Sequence, residues 1–289
     1  MDQTAITQQE IDELHGILLK ALVEIRRVCD AHGLTYFLYC GTLLGCIRHG
    51  GFIPWDNDID LTMPLDDYCR FLEIAPKELS PGYELQHYGN NRDYPRLFAR
   101  VCIDGTTAIR MEYIEREIHQ GMCIDIYPMI GTRKTRKGIE RQQLAMRFAR
   151  GARSLNCRVR YNGAKDWKTR LWGMIPEFLR NAAADSAIRW TFLSPSRTER
   201  VCSVDTSYFF PKYRSVQWKD SVLMPFEGEL FSVPKEYDAL LTVMYGDYMT
   251  LPPESKRVLK FADEGVDIVD IHRDYREYRN EILGKRKSH

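Results

Sequence analysis

The stretch YCGTLLGCIRHGGFIPWDNDIDLTM, residues 39–63, decides the fold of this chain. It joins a glycine-threonine pair, Gly41 and Thr42, to three acids at every second position, Asp56, Asp58 and Asp60. Side chains two residues apart point to the same face of a β-strand. We therefore predict a strand that presents three carboxylates on one face and apolar side chains on the other.

Three carboxylates on one strand face repel each other, so folding alone does not favour them. A divalent cation held by Asp58 and Asp60 would reverse the sign of that interaction. The simpler alternative is a polar turn that leads into a solvated edge strand. The upstream turn at Gly41 and Thr42 favours the metal hypothesis, because its backbone amides can hold the phosphate oxygens that the same cation bridges.

The run GTLLGCIRHGGFIPWDNDIDLTM, residues 41–63, resembles the signature of the LicD family. This family is a branch of the nucleotidyltransferase superfamily that also includes the fukutin-like proteins. Asn57 stands where the family often has another acid, but Asp58 and Asp60 are retained. A second stretch, FEGELFSVPKEYDALLTVMYGDYMTLPP at 226–253, resembles the C-terminal pattern of the same family.

A further candidate carboxylate comes from the stretch MCIDIYPM, residues 122–129. Asp125 interrupts an otherwise apolar strand, where a lone carboxylate is costly unless it has a partner. Taken in isolation, the pattern indicates a structural hydrogen bonder. The I-D-I-[FY]-P pattern of the LicD family matches here. The resemblance therefore implies that Asp125 joins Asp58 and Asp60 as a catalytic and metal-binding residue.

Several other residues are candidates for binding substrate. Gly41 and Thr42 precede a short helix whose N-terminal amides would face a phosphate. Arg48 at the end of that helix is a candidate for a phosphate or acceptor contact. Arg96 and Arg100 suit phosphate recognition if they face inward from the predicted strand. A solvated, outward-facing arginine is the alternative in each case.

The resemblance also implies an activity. LicD-like enzymes transfer phosphocholine from CDP-choline to a sugar hydroxyl of a cell-surface glycan precursor, as in teichoic acid or lipopolysaccharide. The expected partners are CDP-choline and a glycan acceptor that can be lipid-linked, and the expected cofactor is Mg²⁺ or Mn²⁺. Aromatic faces hold trimethylammonium groups, and Trp55 and Trp218 are our candidates for that contact. The alternatives are transfer of ribitol or glycerol phosphate from a CDP-alditol, and a non-catalytic binding module.

We expect an α+β fold, with a nucleotidyltransferase-type mixed β-sheet flanked by helices. The catalytic core is assigned to residues 1–131 and an arginine-rich helical insertion to 132–200. A strand-and-helix portion at 201–289 is expected to complete the cleft. Within the insertion we predict a helix with Leu144 and Phe148 on one face and arginines on the other, followed by helix in which Phe178 and Leu179 are apolar anchors.

Composition narrows the class of protein further. The 289 residues carry a net charge of +1, so no global field favours a nucleic-acid partner. The eight cysteines are scattered without a C-x-x-C pair, which favours buried, reduced thiols. No apolar run has the length of a membrane span, and the N-terminus lacks a signal-peptide pattern. We therefore expect a cytoplasmic protein, with peripheral contact to the inner face of the membrane through the basic region 133–160.

Overall fold

The computed structural model describes residues 6–162, 166–192, 200–203, 213–259, 261 and 265–287. Helix α1 (Gln8–His32) begins with a reciprocal capping box between Thr7 and Glu10, a pattern that the sequence TQQE at residues 7–10 favours. The Glu10 N–H donates to Thr7 Oγ1 at 3.2 Å, and the Thr7 N–H donates to Glu10 Oε2 at 2.7 Å. The helix ends at Gly33, whose φ of 59° is the left-handed conformation that glycine adopts without strain.

The remaining elements follow in chain order. The first part contains β1 (Phe37–Leu38), α2 (Cys40–His49), β2 (Ile59–Pro64), α3 (Leu65–Glu78), β3 (Tyr83–Gln86), β4 (Ala99–Ile103), β5 (Thr107–Ile109) and β6 (Cys123–Gly131). The middle part contains α4 (Arg136–Cys157), α5 (Trp167–Gly173) and α6 (Glu177–Phe192). The last part contains β7 (Arg200–Ser203), β8 (Tyr213–Arg214), β9 (Ser221–Phe226), β10 (Glu229–Pro234), α7 (Tyr237–Tyr245), β11 (Ile268–Asp270) and α8 (Tyr275–Lys287).

The main sheet is mixed, which confirms the predicted fold class. Its strand order is β1-β2-β6-β4-β3, and β7 pairs with the C-terminal end of β6. Strands β2 and β6 are parallel, whereas β1, β3, β4 and β7 pair antiparallel with their neighbours. The register places Asp60 of β2 opposite Asp125 of β6, and Arg100 of β4 on the other side of Asp125.

One face of this sheet forms the core. Ile59 and Leu61 of β2 and Ile124 and Ile126 of β6 are fully buried, in one cluster with apolar side chains of α1. The residues between them, Asp60 among them, are only half-buried. Because side chains alternate across a strand, burial of one set directs the charged set to the opposite face. That second face carries the candidate site.

The hairpin β9–β10 braces the loop that leads into β2. Its turn residues Glu227 and Gly228 both have positive φ, 52° and 81°, as a tight two-residue hairpin turn requires. The Glu227 carboxylate accepts a hydrogen bond from the Phe52 N–H at 2.9 Å. The Glu227 N–H donates to the Gly50 carbonyl at 3.0 Å. The C-terminal part of the chain therefore holds residues 50–52 in place.

The insertion helices differ from the prediction. On α4, Leu144 and Phe148 are 67% and 46% exposed, and the helix is buried instead through small and polar side chains that include Ala149 and Arg153. Arg153 can be buried because its guanidinium donates to the Tyr94 carbonyl and stacks 3.8 Å from the ring centroid of Tyr88.

The predicted anchors of the following helix are also mostly exposed, Phe178 by 69% and Leu179 by 48%. Packing against the rest of the chain selected a different face from the one that hydrophobicity suggested. Within the described ranges, no helix has the length and apolar content needed to cross a membrane.

Candidate active site

Helix α2 starts earlier than predicted. It begins at Cys40, so Gly41 and Thr42 form its first turn rather than a separate turn before it. The Asp60 N–H donates to Thr42 Oγ1 at 2.8 Å, and the Tyr39 N–H donates to the Asp60 carbonyl at 2.9 Å. These two bonds tie the N-terminus of α2 to strand β2. The helix N-terminus therefore lies beside the carboxylate that β2 presents.

The acidic run is only partly a strand, which corrects the sequence prediction. Strand β2 begins at Ile59, so Asp56 and Asp58 lie in the loop before it. The Asp56 N–H donates to the Ile53 carbonyl at 2.8 Å, which closes a turn. The ring nitrogen of His15 lies 2.8 Å from the Asp56 carbonyl. These bonds satisfy the Asp56 backbone outside any strand ladder.

The carboxylates of Asp56, Asp58 and Asp60 nevertheless line one cavity of about 530 Å³, called the acidic cavity below. It is lined by Cys40, Gly41, Leu44, Arg48, Ile53, Trp55, Asp56, Asp58, Asp60, Tyr245, Asp247, Tyr248, Thr250, Pro252 and Lys256. Four of the predicted site residues that line it come from α2 and the loop after it. The whole lining includes three aromatic rings, those of Trp55, Tyr245 and Tyr248, and two cationic side chains, those of Arg48 and Lys256. The cavity thus combines negative charge with aromatic surface.

The charge in this cavity is concentrated near the start of α2. Burial raises the pKa of the Cys40 thiol well above its ordinary value, and the carboxylates of Asp60, Asp58 and Asp56 raise it further. A Cβ at Gly41 would lie 2.6 Å from Asp56 Oδ2, so a larger residue at this position would displace that carboxylate. The Asp56 carboxylate therefore packs directly against the first turn of α2, where the helix dipole favours negative charge.

Asp125 is held by an arginine on the neighbouring strand. Arg100 Nε lies 2.7 Å from Asp125 Oδ1, and Arg100 Nη2 donates to Asp125 Oδ2 at 3.1 Å. Burial alone would lower the pKa of Arg100, but Asp125, together with Cys123 and Tyr94, outweighs burial, and the pKa lies well above its ordinary value. Arg100 therefore faces inward, which is one of the two alternatives predicted, and orients the Asp125 carboxylate through this ion pair.

A second cavity of about 450 Å³, called the arginine cavity below, lies beside Asp125. It is lined by Asn57, Asp58, Arg96, Arg100, Ala108, Arg110, Gly121, Met122, Cys123, Asp125, Tyr127, Phe261 and Val266. Asp58 lines both cavities, so the two spaces meet at this carboxylate. The site is therefore a cleft with an acidic, aromatic half and a cationic half.

The donor set fits a divalent metal that is shared with a ligand. Among the described residues, no group of three or more His, Cys, Asp or Glu side chains could hold an ion by itself. Asp58 and Asp60 line the same cavity, while Asp125 is engaged by Arg100. Mg²⁺ is usually bound by one or two carboxylates together with substrate phosphates and waters. Two carboxylates in an open cavity match that requirement.

The other predicted substrate-binding residues separate into two groups. Arg48 and Trp55 line the acidic cavity, and Arg48 Nη1 donates to the Tyr248 carbonyl at 2.8 Å. Trp218 does not line either cavity and is only 5% exposed. Its ring packs 5.7 Å from that of Phe37 and 5.9 Å from that of Tyr39. Trp218 therefore belongs to the core and is not brought to the site.

Sequence reasoning missed several lining residues. Tyr245, Asp247 and Tyr248 come from the run YGDYM, which had been noted only as part of the C-terminal pattern. That run combines aromatic and acidic residues just after an apolar helix, and it was the signal available. Lys256 and Arg110 stand in no motif that we identified. Only the tertiary structure brings them to the cleft.

The mixed sheet, the helix N-terminus and the carboxylates on adjacent strands define a nucleotidyltransferase-type domain. Residues 33–149 match the family described as LicD/FKTN/FKRP, nucleotidyltransferase domain. The chain therefore contains a LicD-family nucleotidyltransferase domain, as its signature predicted.

Three relatives illustrate the range of the family. The chain is 28% identical over 259 residues to the lipopolysaccharide cholinephosphotransferase LicD of Haemophilus influenzae, an alignment that covers 82% of this chain and 91% of that protein. It is 49% identical over 53 residues to the human ribitol 5-phosphate transferase FKRP, covering 17% of this chain and 11% of that protein. It is 28% identical over 113 residues to mannosyltransferase regulator 4 of Saccharomyces cerevisiae, covering 37% of this chain and 9% of that protein.

Proposed function

We propose that this chain is a metal-dependent phosphotransferase that moves phosphocholine from CDP-choline to a sugar hydroxyl of a cell-surface glycan precursor, of the teichoic acid or lipopolysaccharide type. The observation that carries the proposal is the acidic cavity, which brings carboxylates and aromatic rings together at a helix N-terminus. The relative named as a lipopolysaccharide cholinephosphotransferase, which aligns over most of both chains, supports the same activity.

The aromatic side of the acidic cavity suits a choline group. A trimethylammonium cation cannot donate hydrogen bonds and is held by ring faces, each worth about 0.5–2 kcal/mol. Trp55, Tyr245 and Tyr248 line the cavity together with Asp247. The guanidinium of Arg257 already lies 5.7 Å from the ring centroid of Trp55, so that ring sits within reach of a cation.

The opposite side of the acidic cavity suits the diphosphate of the donor. The N-terminal turn of α2 offers backbone N–H groups, and the cations of Arg48 and Lys256 line the same space. Asp58 and Asp60 would hold Mg²⁺ or Mn²⁺, which when bound neutralises charge on the phosphates and favours departure of the nucleotide.

Asp125 suits the acceptor. In the proposed step, the sugar hydroxyl oxygen forms a bond to the phosphorus that carries choline. The bond from that phosphorus to the oxygen shared with CMP breaks, and CMP leaves with the electron pair. The hydroxyl proton passes to the Asp125 carboxylate, which Arg100 orients. Because Asp125 lines the arginine cavity, we assign the acceptor to that cavity and the donor to the acidic one.

One alternative rests on a specific observation. The 49% identity to a ribitol 5-phosphate transferase covers only 53 residues but favours a CDP-alditol donor, carrying ribitol or glycerol phosphate. An alditol presents hydroxyl groups and no cation, so it gains nothing from the aromatic rings. A non-catalytic binding module is the other alternative, against which stand the retained carboxylates of Asp58, Asp60 and Asp125.

Thermal unfolding with Mg²⁺ and each of CDP-choline, CDP-ribitol, CDP-glycerol and ATP tests the donor. A ligand at a hundred times its Kd adds about 2.7 kcal/mol, which raises Tm by several degrees for a chain of this size. We expect a shift with CDP-choline that a chelator abolishes and that Trp55→Leu reduces, while the control Trp167→Leu keeps it. A shift with a CDP-alditol alone would show that the donor is that CDP-alditol and not CDP-choline. A shift with ATP alone would refute CDP-dependent transfer.

A further inference from the structure

We propose that the arginine cavity recognises an anionic group on the acceptor, so that the sugar that is modified carries a phosphate or a carboxylate near the reacting hydroxyl. This inference rests on the proposed function, because it places the acceptor beside Asp125. It adds the charge of the acceptor, which the sequence motifs do not predict.

The first observation is an excess of positive charge in this cavity. Arg96, Arg100 and Arg110 all line it, and all three are half-buried. Of these three arginines, only Arg100 forms an ion pair with the carboxylate of a described residue, that of Asp125. Burial lowers the pKa of Arg110, and the charges of Arg96 and Arg100 lower it further. The three cations are therefore close enough to repel each other.

Folding alone does not favour such a cluster, because half-buried like charges destabilise the chain that holds them. An oxyanion removes the repulsion and accepts hydrogen bonds from the guanidinium forks, whose planar geometry matches phosphate and carboxylate oxygens. Arg96, Arg100 and Arg110 come from three different points of the chain, before β4, within β4 and just after β5. Tertiary structure collects them in one place.

The rest of the cavity suits a sugar. Met122, Phe261 and Val266 supply apolar surface beside the arginines, which a sugar ring can cover. The donor diphosphate has other cations, since Arg48 and Lys256 line the acidic cavity on the other side of Asp58. The donor and an anionic acceptor are therefore expected to require different cationic side chains, so substitutions of these side chains can distinguish the binding of one from the binding of the other.

Isothermal titration of the wild-type chain with glucose, glucose 6-phosphate, glucuronate and CDP-choline tests the inference. We expect the anionic sugars to bind at least about tenfold more tightly than glucose, the order of magnitude of one charge-assisted contact. Arg110→Gln and Arg96→Gln should each remove this preference without changing the Kd of CDP-choline. Arg189→Gln, an exposed arginine on α6, is the matched control.

The outcomes separate the two proposals. Equal binding of glucose and its anionic derivatives would overturn the anionic acceptor and leave the donor assignment intact. Loss of CDP-choline affinity in Arg110→Gln, without loss of sugar affinity, would assign these arginines to the donor and also overturn the inference. A wild-type chain that binds the sugar phosphate but no CDP-choline would instead contradict the proposed function.

An independent observation concerns the surface formed by Trp167, Leu171, Met174 and Phe178, called the α5 surface below. These side chains are 70%, 60%, 80% and 69% exposed, although they are large and apolar. They lie within twelve consecutive residues, on α5, in the turn after it and at the start of α6, so the exposed apolar side chains are concentrated in one short segment. We infer that an anionic lipid surface covers the α5 surface.

The local excess of positive charge favours an anionic lipid surface as the partner of the α5 surface. Residues 133–179 contain thirteen Lys and Arg against three Asp and Glu, a strong local excess in a chain of net charge +1. Apolar and aromatic side chains flanked by cations are typical of elements that lie in the interface of an anionic membrane. The basic region 133–160 was the predicted contact, and the structure adds exposed apolar side chains just beyond it.

Cosedimentation with vesicles tests this contact. We expect the wild-type chain to sediment with vesicles of phosphatidylcholine and phosphatidylglycerol, and much less with phosphatidylcholine alone or at high salt. The double variant Leu171→Ser/Phe178→Ser should weaken binding by about tenfold or more, the scale expected for two lost apolar side chains. The matched control is Leu223→Ser/Leu230→Ser, since these leucines are 64% and 51% exposed on β9 and β10.

Three results would overturn the lipid contact. The first is equal loss of vesicle binding in both double variants, and the second is no binding of the wild-type chain. The third is concentration-dependent self-association, measured by analytical ultracentrifugation, that the Leu171→Ser/Phe178→Ser variant abolishes. That result would mean that a second copy of the chain covers the α5 surface.

Discussion

Asp60 lies directly opposite Asp125 across the parallel strands β2 and β6. The register also places Arg100 opposite Asp125 on the far side, with its Nε 2.7 Å from Asp125 Oδ1. Three adjacent strands thus present the negative charges of Asp60 and Asp125 and the positive charge of Arg100 side by side. Two of these charges compensate each other, and the Asp60 carboxylate faces the acidic cavity with Asp58.

Replacing either cavity carboxylate should stop the reaction without unfolding the chain. Asp58→Asn and Asp60→Asn keep the shape of the side chain but remove the charge that would hold the metal. We expect kcat to fall by at least about 10²–10³-fold, the scale of losing one preorganised electrostatic contact. Asp66→Asn, an exposed acid on α3, is the control. Full transfer activity in both cavity variants would contradict the metal site.

The ion pair between Arg100 and Asp125 predicts strong coupling between two substitutions. Arg100→Gln leaves the Asp125 carboxylate partly buried without its partner, which should cost about 1–3 kcal/mol of unfolding free energy. Adding Asp125→Asn removes that uncompensated charge, so the double variant should recover part of the loss. Urea unfolding of the four proteins of this double-mutant cycle measures the coupling. Additive effects would show that the pair does not stabilise the fold.

Three glycine-to-alanine substitutions should have three different effects. Gly41→Ala places a Cβ 2.6 Å from Asp56 Oδ2, so it should impair transfer by displacing that side chain, with little change in Tm. Gly45→Ala places one 2.5 Å from the Gly51 carbonyl, which is backbone and cannot move, so it should destabilise the chain clearly.

Gly16→Ala is the matched control, because its Cβ would meet nothing within 4 Å. It should stabilise α1 by about 0.5–1 kcal/mol, since glycine loses more entropy in a helix. Thermal unfolding and steady-state kinetics of the three variants distinguish these effects. A Gly41→Ala variant with wild-type kinetics would show that the position of Asp56 is unimportant for transfer.

Thr42 should act by positioning Asp60. Its Oγ1 accepts the Asp60 N–H at 2.8 Å, and the side chain is only 4% exposed. Thr42→Val keeps the shape but leaves that N–H unpaired, at a cost of about 1–3 kcal/mol in stability. We expect kcat to fall while Thr42→Ser restores both activity and stability. If serine does not restore activity, the hydroxyl is not the group that matters.

Stability should depend on pH through Glu24, far from the site. Hydrogen bonds from Arg27, at 2.8 and 2.9 Å, and from the Ser80 N–H, at 2.7 Å, lower the pKa of this carboxyl to about 2. Because the pKa is lower in the folded state than in the unfolded state, the stabilisation is present above about pH 4.5. It is lost as the pH falls from there towards 2.

Glu24→Gln should therefore lower the unfolding free energy at pH 7 by about 1–3 kcal/mol. The difference from wild type should shrink at pH 3, where protonation of Glu24 has already removed part of the effect. Urea unfolding at both pH values measures this difference. Glu73→Gln, an exposed acid on α3, is the control and should change neither value. A penalty independent of pH would show that charge is not its origin.

Local patterns predicted much of the fold. The capping box at Thr7, the end of α1 at Gly33 and the hairpin β9–β10 depend on contacts between residues close in sequence, so the sequence reveals them. The pairing of Asp58 and Asp60 with Asp125 followed from a specific family signature. Their side chains do line one continuous cleft. The strand assignment of Asp56 and Asp58 was wrong, because the turn at Ile53 takes their backbone out of the ladder.

By itself, the sequence indicated the acidic run and the helix beside it through the spacing of the motif, and the class of the domain through its resemblance to a family signature. The tertiary structure alone decided which distant residues complete the cleft. Tyr245 and Tyr248 lie about two hundred positions after Gly41 yet share its cavity, and Arg110 joins Arg100 from the end of β5. It also buried Arg153 and left Phe178 exposed. Hydrophobicity states what a side chain prefers, but long-range packing decides which neighbours it meets.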